Sequence, residues 1–487
     1  MKEFEQSAPQ GYFCTWLSQN YLSGKPEFAT RGCDSPRDMI NEKIVFGDGG
    51  LAYCMGESKR DLIFVFDDGW DVPYGTAFCG EAFGSLEVNK ERFPFAVGTP
   101  AERLKALADR IKGIGWKGMG IWVAAQRCGA DGQKPFCSAD IEYWRERILW
   151  SKYAGVAYWK VDWGKNELNN EFRRFLTDAA AELYPELIVE QAICAPPFNG
   201  ADNAEDAVRE RFSDNKTLSD LSLEAVGFAE VFRTYDVSPP LSVATTLDRV
   251  AFLLPHARGY LNTEDELYLG AALGTQMGIM RTPFGKGADA WDDSYRLREA
   301  DAALSWQKIA PPFAGGEVKT SETTLTDEYV FGDGEMWFEK VNGKRIKQTA
   351  PAVVARGCDL PDVTAGKNGV TPFVVAAYNP VGAYSVAVLP RTLDGLRRKY
   401  VGGEVFCKTD AEINKIAFFG NADKFTFESG RAIVNRITAR SLFDGRTTDV
   451  SDCVIPTRKG FGIDGARLKL SCNADDESAP AVVFEIE

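Results

Sequence analysis

Roughly the first 310 residues of this 487-residue chain alternate short β-type runs with helical stretches, and no other feature constrains the fold as tightly. The runs are GYFCTW (Gly11 to Trp16), DLIFVFDD (Asp61 to Asp68), GMGIWVAA (Gly118 to Ala125), VAYWKVDW (Val156 to Trp163), ELIVEQAIC (Glu186 to Cys194), AEVFRTYDV (Ala229 to Val237), GYLN (Gly259 to Asn262) and MGIMRTP (Met277 to Pro283). Amphipathic segments lie between them. In TPAERLKALADRIKGIG, for example, Leu104, Leu107, Ala108 and Ile111 share one helical face after a Thr-Pro start. Eight strands alternating with helices predict a (β/α)8 TIM barrel over residues 1–312.

From about Phe313 the texture changes. EYVFGDGEMWFEKVNGKRIKQ holds a strand, a hairpin signal at Asn342-Gly343 and a second strand, and FVVAAYNPVGAYSVAVLP continues the same rhythm. Residues 313–487 are therefore expected to form a C-terminal antiparallel β-sandwich, joined to the barrel through the Pro- and Gly-bearing APPFAGGE.

Composition narrows the chemistry. A formal charge of −14 disfavours nucleic acid or an anionic membrane as partner, because phosphate binding needs clustered Lys and Arg. A neutral small substrate fits better. The chain has a single histidine, His256, so multi-His zinc sites are excluded and a Ser-His-Asp triad would depend on that residue alone. His256 reads as a helix terminator without a catalytic part. Neither a metal nor a cofactor is expected. The 11 cysteines are scattered singly, which suits reduced thiols in a cytoplasmic-type compartment. No apolar run reaches about 18 residues and no export signal is visible, although a removed signal would leave no trace. Oligomeric state is not legible.

The chemistry must then use carboxylates, Lys, Tyr or Cys. In a TIM barrel the C-terminal strand ends and the loops after them build the active-site rim. Asp67 and Asp68 end the second run, Lys160 and Asp162 the fourth, and Arg233 and Asp236 the sixth. Trp16, Trp70, Trp122 and Trp163 are strand-end aromatics, whose flat faces suit the apolar faces of sugar rings. Alternation along WKVDW places Lys160 and Asp162 on one face of their strand. Two carboxylates across a pocket hydrolyse a glycoside without histidine or metal, one attacking while ionised and the other donating a proton. Lys160 would hold Asp162 ionised. Each signal has a plainer reading: DDG as an Asp-Gly turn, KVD as a structural ion pair or a Schiff-base lysine, FRTYD as a surface pair, and the tryptophans as packing.

The stretches FVFDDGWD, RFPFAVGTPAERLKALADRIKGIGWKGMGIWV, VAYWKVDWG and EDELYLGAALGTQMGIMRTP together resemble the α-galactosidase clan of retaining glycosidases, glycoside hydrolase families 27 and 36, over about residues 11–285. The resemblance implies a retaining exo-α-glycosidase, foremost an α-galactosidase, acting on an oligosaccharide or glycoconjugate. It implies that Asp67 and Asp68 bind sugar hydroxyls, that Asp162 is the nucleophile with Lys160 touching the same sugar, and that Arg233 contacts sugar while Asp236 is the acid/base. ERFSDNKT, with Asp214, also resembles the acid/base motif of family 36, and Asp236 is preferred because its segment reads as a strand followed by a helix. The chain lacks the large N-terminal β-domain of family 36, so its layout is closer to family 27. EQAICAPPFNG matches none of the clan's sugar-selecting patterns, which leaves open N-acetylgalactosamine or arabinopyranose substrates, and transglycosylation stays open because water and a sugar hydroxyl attack the same intermediate. A non-catalytic carbohydrate-binding relative is the alternative of another class.

Overall fold

The computed structural model describes residues 11–23, 35–78, 80–193, 206–208, 211–214, 216–234, 239–280, 295–332, 343–393, 398–430, 436–452, 455–457, 459–472 and 479–487. Eight parallel strands form one sheet: Tyr12–Cys14, Ile63–Phe66, Gly118–Val123, Tyr158–Val161, Ile188–Gln191, Val231–Arg233, Tyr260–Asn262 and Gly278–Ile279, hereafter the first to the eighth. Sequential neighbours pair from the first strand to the seventh, and the first also pairs with the eighth. A parallel bridge between Asn262 and Gln276 joins the seventh strand to the chain entering the eighth, which closes the ring. The chain therefore folds as the (β/α)8 barrel that its alternating runs predict.

Each strand's period of two sorts its side chains. Phe64, Phe66, Met119, Ile121, Trp159, Val161, Val189 and Phe232 point outward into one core with Leu104, Leu107, Ile111, Ile148, Phe172 and Leu176 of the surrounding helices. Each such burial contributes roughly 1.5–3 kcal/mol, and this layer holds the helices to the barrel. The helix Pro100–Ile114 shows the local signals at work. The Thr99 hydroxyl accepts from the Glu102 N–H, the Glu102 carboxylate accepts from the Thr99 N–H at 2.8 Å, and Gly115 ends the helix at φ 106°.

The inward set is different. Tyr12, Cys14, Ile63, Val65, Tyr158, Ile188, Val231, Tyr260 and Met280 pack together inside the barrel. Glycines make room for two of its tyrosines: a Cβ on Gly120 would lie 2.8 Å from the Tyr158 Cβ, and one on Gly278 would lie 2.6 Å from the Tyr12 ring.

The C-terminal strands form a sandwich. An eight-stranded sheet places Phe373–Asn379, Ala383–Leu389, Lys415–Gly420 and Ala481–Ile486 at its centre, and a five-stranded sheet is built around Glu404–Lys408, Lys424–Glu428 and Gly460–Asp464. Val386, Phe418 and Phe484 of the first sheet meet Val405, Phe425, Phe427 and Phe461 of the second. Most pairs are antiparallel, but three are parallel, because the chain from Val353 to Glu428 crosses repeatedly between the two sheets. The larger sheet's other face packs on the barrel, with Phe419 5.1 Å from Tyr268 and 6.4 Å from Trp306. The buried Arg356 guanidinium donates to the carbonyls of Leu273, Gly274, Phe313 and Gly315 along this seam. Of the hairpin signal, Gly343 is among the described residues and Asn342 is not, while the flanking strands Thr324–Val330 and Arg345–Pro351 pair antiparallel. No helix among the described residues is long and apolar enough to cross a membrane.

Gly278→Ala is expected to destabilise the fold by about 1–3 kcal/mol, because the Tyr12 ring is held by its neighbours and cannot step aside. Urea unfolding checks this, and an unchanged midpoint would show that the ring yields.

Candidate active site

The upper tier of the barrel interior is charged where the lower tier is apolar. Asp67, Asp162 and Glu264 each lie two residues beyond an inward strand position, at Val65, Lys160 and Asn262, so the alternation carries their side chains into the mouth. All three are buried, as are Lys160, Glu190 and Arg233.

Asp162 has the most asymmetric surroundings. Its Oδ2 accepts from the Trp122 Nε1–H at 3.1 Å and pairs with Arg233 Nη2 at 3.1 Å. Its Oδ1 is buried and has no hydrogen-bond partner among the described residues. One oxygen is thus held by a hydrogen bond from Trp122 and an ion pair with Arg233, while the other makes no hydrogen bond among the described residues. The Arg173 guanidinium holds the Asp162 carbonyl at 3.1 Å, and the Asp162 N–H donates to the Val123 carbonyl, so the backbone is fixed as well.

Arg233 ties this carboxylate to two more. Its Nη1 meets Glu264 Oε2 at 3.0 Å and its Nε meets Glu190 Oε1 at 3.3 Å. Below it, Tyr158 and Asn262 donate to Glu190 Oε2 at 2.8 and 2.7 Å, and Tyr12 donates to Glu264 Oε1 at 2.8 Å. Burial, followed by the charges of Glu190 and Glu264, pushes the Tyr12 phenol well above its ordinary range, and burial and Glu190 do the same to Tyr158. Both therefore remain donors. Burial raises Glu190 to about 7 against the pull of Arg233.

Lys160 pairs with Asp67 Oδ2 at 2.7 Å and lies 3.8 Å from Glu264. Burial and Arg233 would lower its ammonium pKa, but Asp67, Cys14 and Glu264 outweigh them and the net direction is well upward. A lysine held so firmly charged is unsuited to Schiff-base chemistry, which needs the free amine. The Cys14 thiol, kept protonated by burial and by Asp67, donates to Asp67 at 3.0 Å.

Asp68 faces a partner that the sequence reading did not include. Arg37 Nε lies 2.9 Å from both Asp68 oxygens and its Nη2 lies 2.8 Å from Oδ2. The same guanidinium sits over Phe83, Phe78 and Trp163 at 5.1, 5.5 and 5.7 Å. Burial nevertheless raises Asp68 to about 7, against the Arg37 pair. The glycine of DDG is required by this cover: a Cβ on Gly69 would lie 2.4 Å from the Arg37 carbonyl oxygen, and φ is 120°.

Of the residues singled out from sequence, the structure brings Asp67, Lys160, Asp162, Trp122 and Arg233 into one buried network, with Asp68 and Trp163 beside it. Trp163 lies 5.0 Å from Trp122 and 4.5 Å from the exposed Phe78. Trp16 is half-buried against the barrel's inner core. Trp70 is fully buried and donates to the Trp122 carbonyl, so it props the mouth from behind. Asp214 is exposed on a single 3-10 turn, accepting from the Arg211 N–H. Asp236 lies outside the described residues. Arg37, Glu190, Glu264 and the donors Tyr12 and Tyr158 are additions. Glu190, set within the apolar run LIVEQAI, carried a signal of its own, whereas Arg37 carried none. Among the described residues no group of three or more His, Cys, Asp or Glu is arranged to hold a metal ion.

No protein-family model matches the chain, and no curated protein matches it. Solved structures resemble it at low identity. A Bacteroides fragilis protein provisionally named an α-galactosidase is 13% identical with a TM-score of 0.42, covering 99% of this chain and 79% of that one. A second from that organism, provisionally named an α-galactosidase/melibiase, is 11% identical with a TM-score of 0.43 over the same shares. The Geobacillus thermoleovorans α-amylase, complexed with acarbose, is 9% identical with a TM-score of 0.44 and 98% of each chain covered. Likenesses this distant carry no weight for function.

The raised carboxyls give a signed pH dependence. Glu190 and Asp68, at about 7 when folded, retain protons that the unfolded chain has released above roughly pH 4–4.5. Their contribution to stability is complete below that range and is lost as pH climbs to about 7. The slope of the urea midpoint against pH between 4.5 and 7 should flatten in Glu190→Gln. Identical slopes in variant and wild type would count against a buried proton at Glu190.

Proposed function

We propose that the barrel mouth is the active site of a retaining exo-acting α-glycosidase, of α-galactosidase type, with Asp162 as nucleophile. The observation that supports this most directly is the division of labour on that carboxylate, Oδ2 held by Trp122 and Arg233 and Oδ1 unpaired. Arg233 brings a positive charge and Trp122 an N–H to the same oxygen, which orients the carboxylate for attack through the other.

In the first step Asp162 Oδ1 attacks the anomeric carbon. The C–O bond to the leaving group breaks, and a carboxylic acid delivers its proton to the departing oxygen. In the second step that same group, now a carboxylate, takes a proton from water as the water oxygen displaces Asp162 and frees the sugar. Asp236 is proposed for this acid/base role from its sequence position. The alternative, Asp214, is exposed and already accepts from backbone and Ser213, which counts against it. Lys160 and Asp67 are proposed as the groups that meet sugar hydroxyls, with Asp68 reached only through Arg37. Trp163 and Trp16 offer aromatic faces near the mouth, and a terminal sugar of an oligosaccharide or glycoconjugate is the proposed substrate.

A panel of α- and β-linked p-nitrophenyl glycosides tests the reading. One α-glycoside, foremost the galactoside, should release p-nitrophenol with retention at the anomeric centre, and Asp162→Ala should lose at least about 10⁴-fold in kcat. Azide should then restore p-nitrophenol release by that variant. Turnover that survives in Asp162→Ala without azide would remove Asp162 from the role, and silence across the panel alongside saccharide binding would favour the non-catalytic reading.

A further inference from the structure

The barrel interior is unbalanced in charge. Asp67, Asp162, Glu190 and Glu264 are all buried, and among the described residues Lys160 and Arg233 are the cations that pair with them. Among the described residues, four buried carboxyls thus share two positive charges. Glu264 is the carboxylate that reaches both cations. Its Oε2 lies 3.0 Å from Arg233 Nη1, and its Oε1 lies 3.8 Å from Lys160 while accepting from Tyr12. Each of those cations serves a second carboxylate at the mouth, Arg233 at Asp162 and Lys160 at Asp67.

The chain goes to some length to put Glu264 there. The next residue, Asp265, adopts the left-handed conformation at φ 63°, unusual for a residue with a side chain. Its N–H donates to the Gly278 carbonyl at 2.7 Å, and its Oδ1 accepts from the Met280 N–H at 2.8 Å, which binds the turn to the eighth strand. Glu266 is clamped from the C-terminal sandwich by Arg398 at 2.8 and 3.0 Å. The turn is thus fixed on both sides of Glu264.

We propose that Glu264 is a positioning residue which apportions Arg233 and Lys160 between the mouth's carboxylates, holding the guanidinium so that it grips one oxygen of Asp162 and leaves the other free. This rests on the reading of Asp162 as nucleophile. Among the described residues, the groups facing Glu264 include Tyr12 and Cys14 from the first strand, Lys160 from the fourth, Glu190 from the fifth and Arg233 from the sixth. Removing its charge should release more of both cations to the remaining carboxyls and take a like charge away from Glu190, which would then ionise at lower pH.

Glu264→Gln keeps the shape and an acceptor for Tyr12 while removing the charge, and two readouts follow it. The first is the protonated-carboxyl C=O band in infrared titration, which needs no substrate. Its midpoint near neutrality should move down by on the order of one pH unit. The second is kcat/KM against pH on the α-glycoside turned over. Its acid limb should move the same way, with kcat reduced about tenfold by the more tightly held nucleophile and KM within about twofold. Tyr12→Phe, which removes a donor from Glu264, should move both in the opposite direction and serves should Glu264→Gln fail to fold. A folded Glu264→Gln with an unmoved infrared midpoint or an unmoved acid limb overturns the proposal, since a purely structural role lowers stability without displacing either. A wild type without turnover counts against the glycosidase reading alone, and the infrared midpoint still decides the role of Glu264.

Discussion

Arg233 is fully buried with a carboxylate oxygen near each of its three nitrogens, from Asp162, Glu190 and Glu264. A cation at that depth costs several kcal/mol to desolvate and is tolerated only when its partners surround it with good geometry. The planar fork of a guanidinium turns one nitrogen toward each, with a hydrogen bond from Nη1 to Glu264 and ion pairs to Asp162 and Glu190, where the point charge of a lysine would serve fewer partners. The carboxylates depend on it in turn: without Arg233, three acidic side chains inside the barrel would have to take up protons or draw in water. The site's charge pattern follows from this one group.

The mouth is built outward from that centre. Lys160 binds Asp67, Cys14 and Thr15 hold the same aspartate from the first strand, and Arg37 lies over Asp68. The tyrosines beneath donate to Glu190 and Glu264, and glycines at 120 and 278 are what allow those rings inside the barrel. The C-terminal sandwich takes part. Arg398 clamps Glu266 and the Thr392 hydroxyl donates to the Pro240 carbonyl, so the loops that follow the sixth and seventh strands are held from the second sheet system. Arg356 closes the seam lower down.

Much of this was legible in the residues. Runs of period two alternating with helical faces gave the barrel, because each strand must bury one face inside and the other against helices. The aspartates and Lys160 stood out because they end apolar strands, where a charge has no place unless it lines a mouth. Arg37 was not legible: it lies in a loop, and only the fold lays it over Phe83 and Asp68. Glu264 was equally hidden, since TEDEL offers three carboxylates in a row and nothing local says that only one turns into the barrel. Trp70 shows the converse, a strand-end tryptophan that proves to be a buried strut. The parallel pairs of the sandwich were invisible for the same reason, because hairpin signals report adjacent strands and not crossovers between sheets.

Sequence by itself determined the architecture and the currency of the chemistry: a (β/α)8 barrel with a β-sandwich behind it, and, with a single histidine in the chain, carboxylates in place of imidazoles. Periodicity is a local property, so it survives in the linear order of residues. Tertiary structure alone decided which carboxylates share which cation, that one oxygen of Asp162 has no hydrogen-bond partner among the described residues, and that Asp68 is taken up by Arg37. Those outcomes depend on groups far apart in the chain, such as Asp162 and Arg233 or Tyr12 and Glu190, the latter 178 positions apart, brought within about 3 Å by strand register and held there because a buried charge must find its partner.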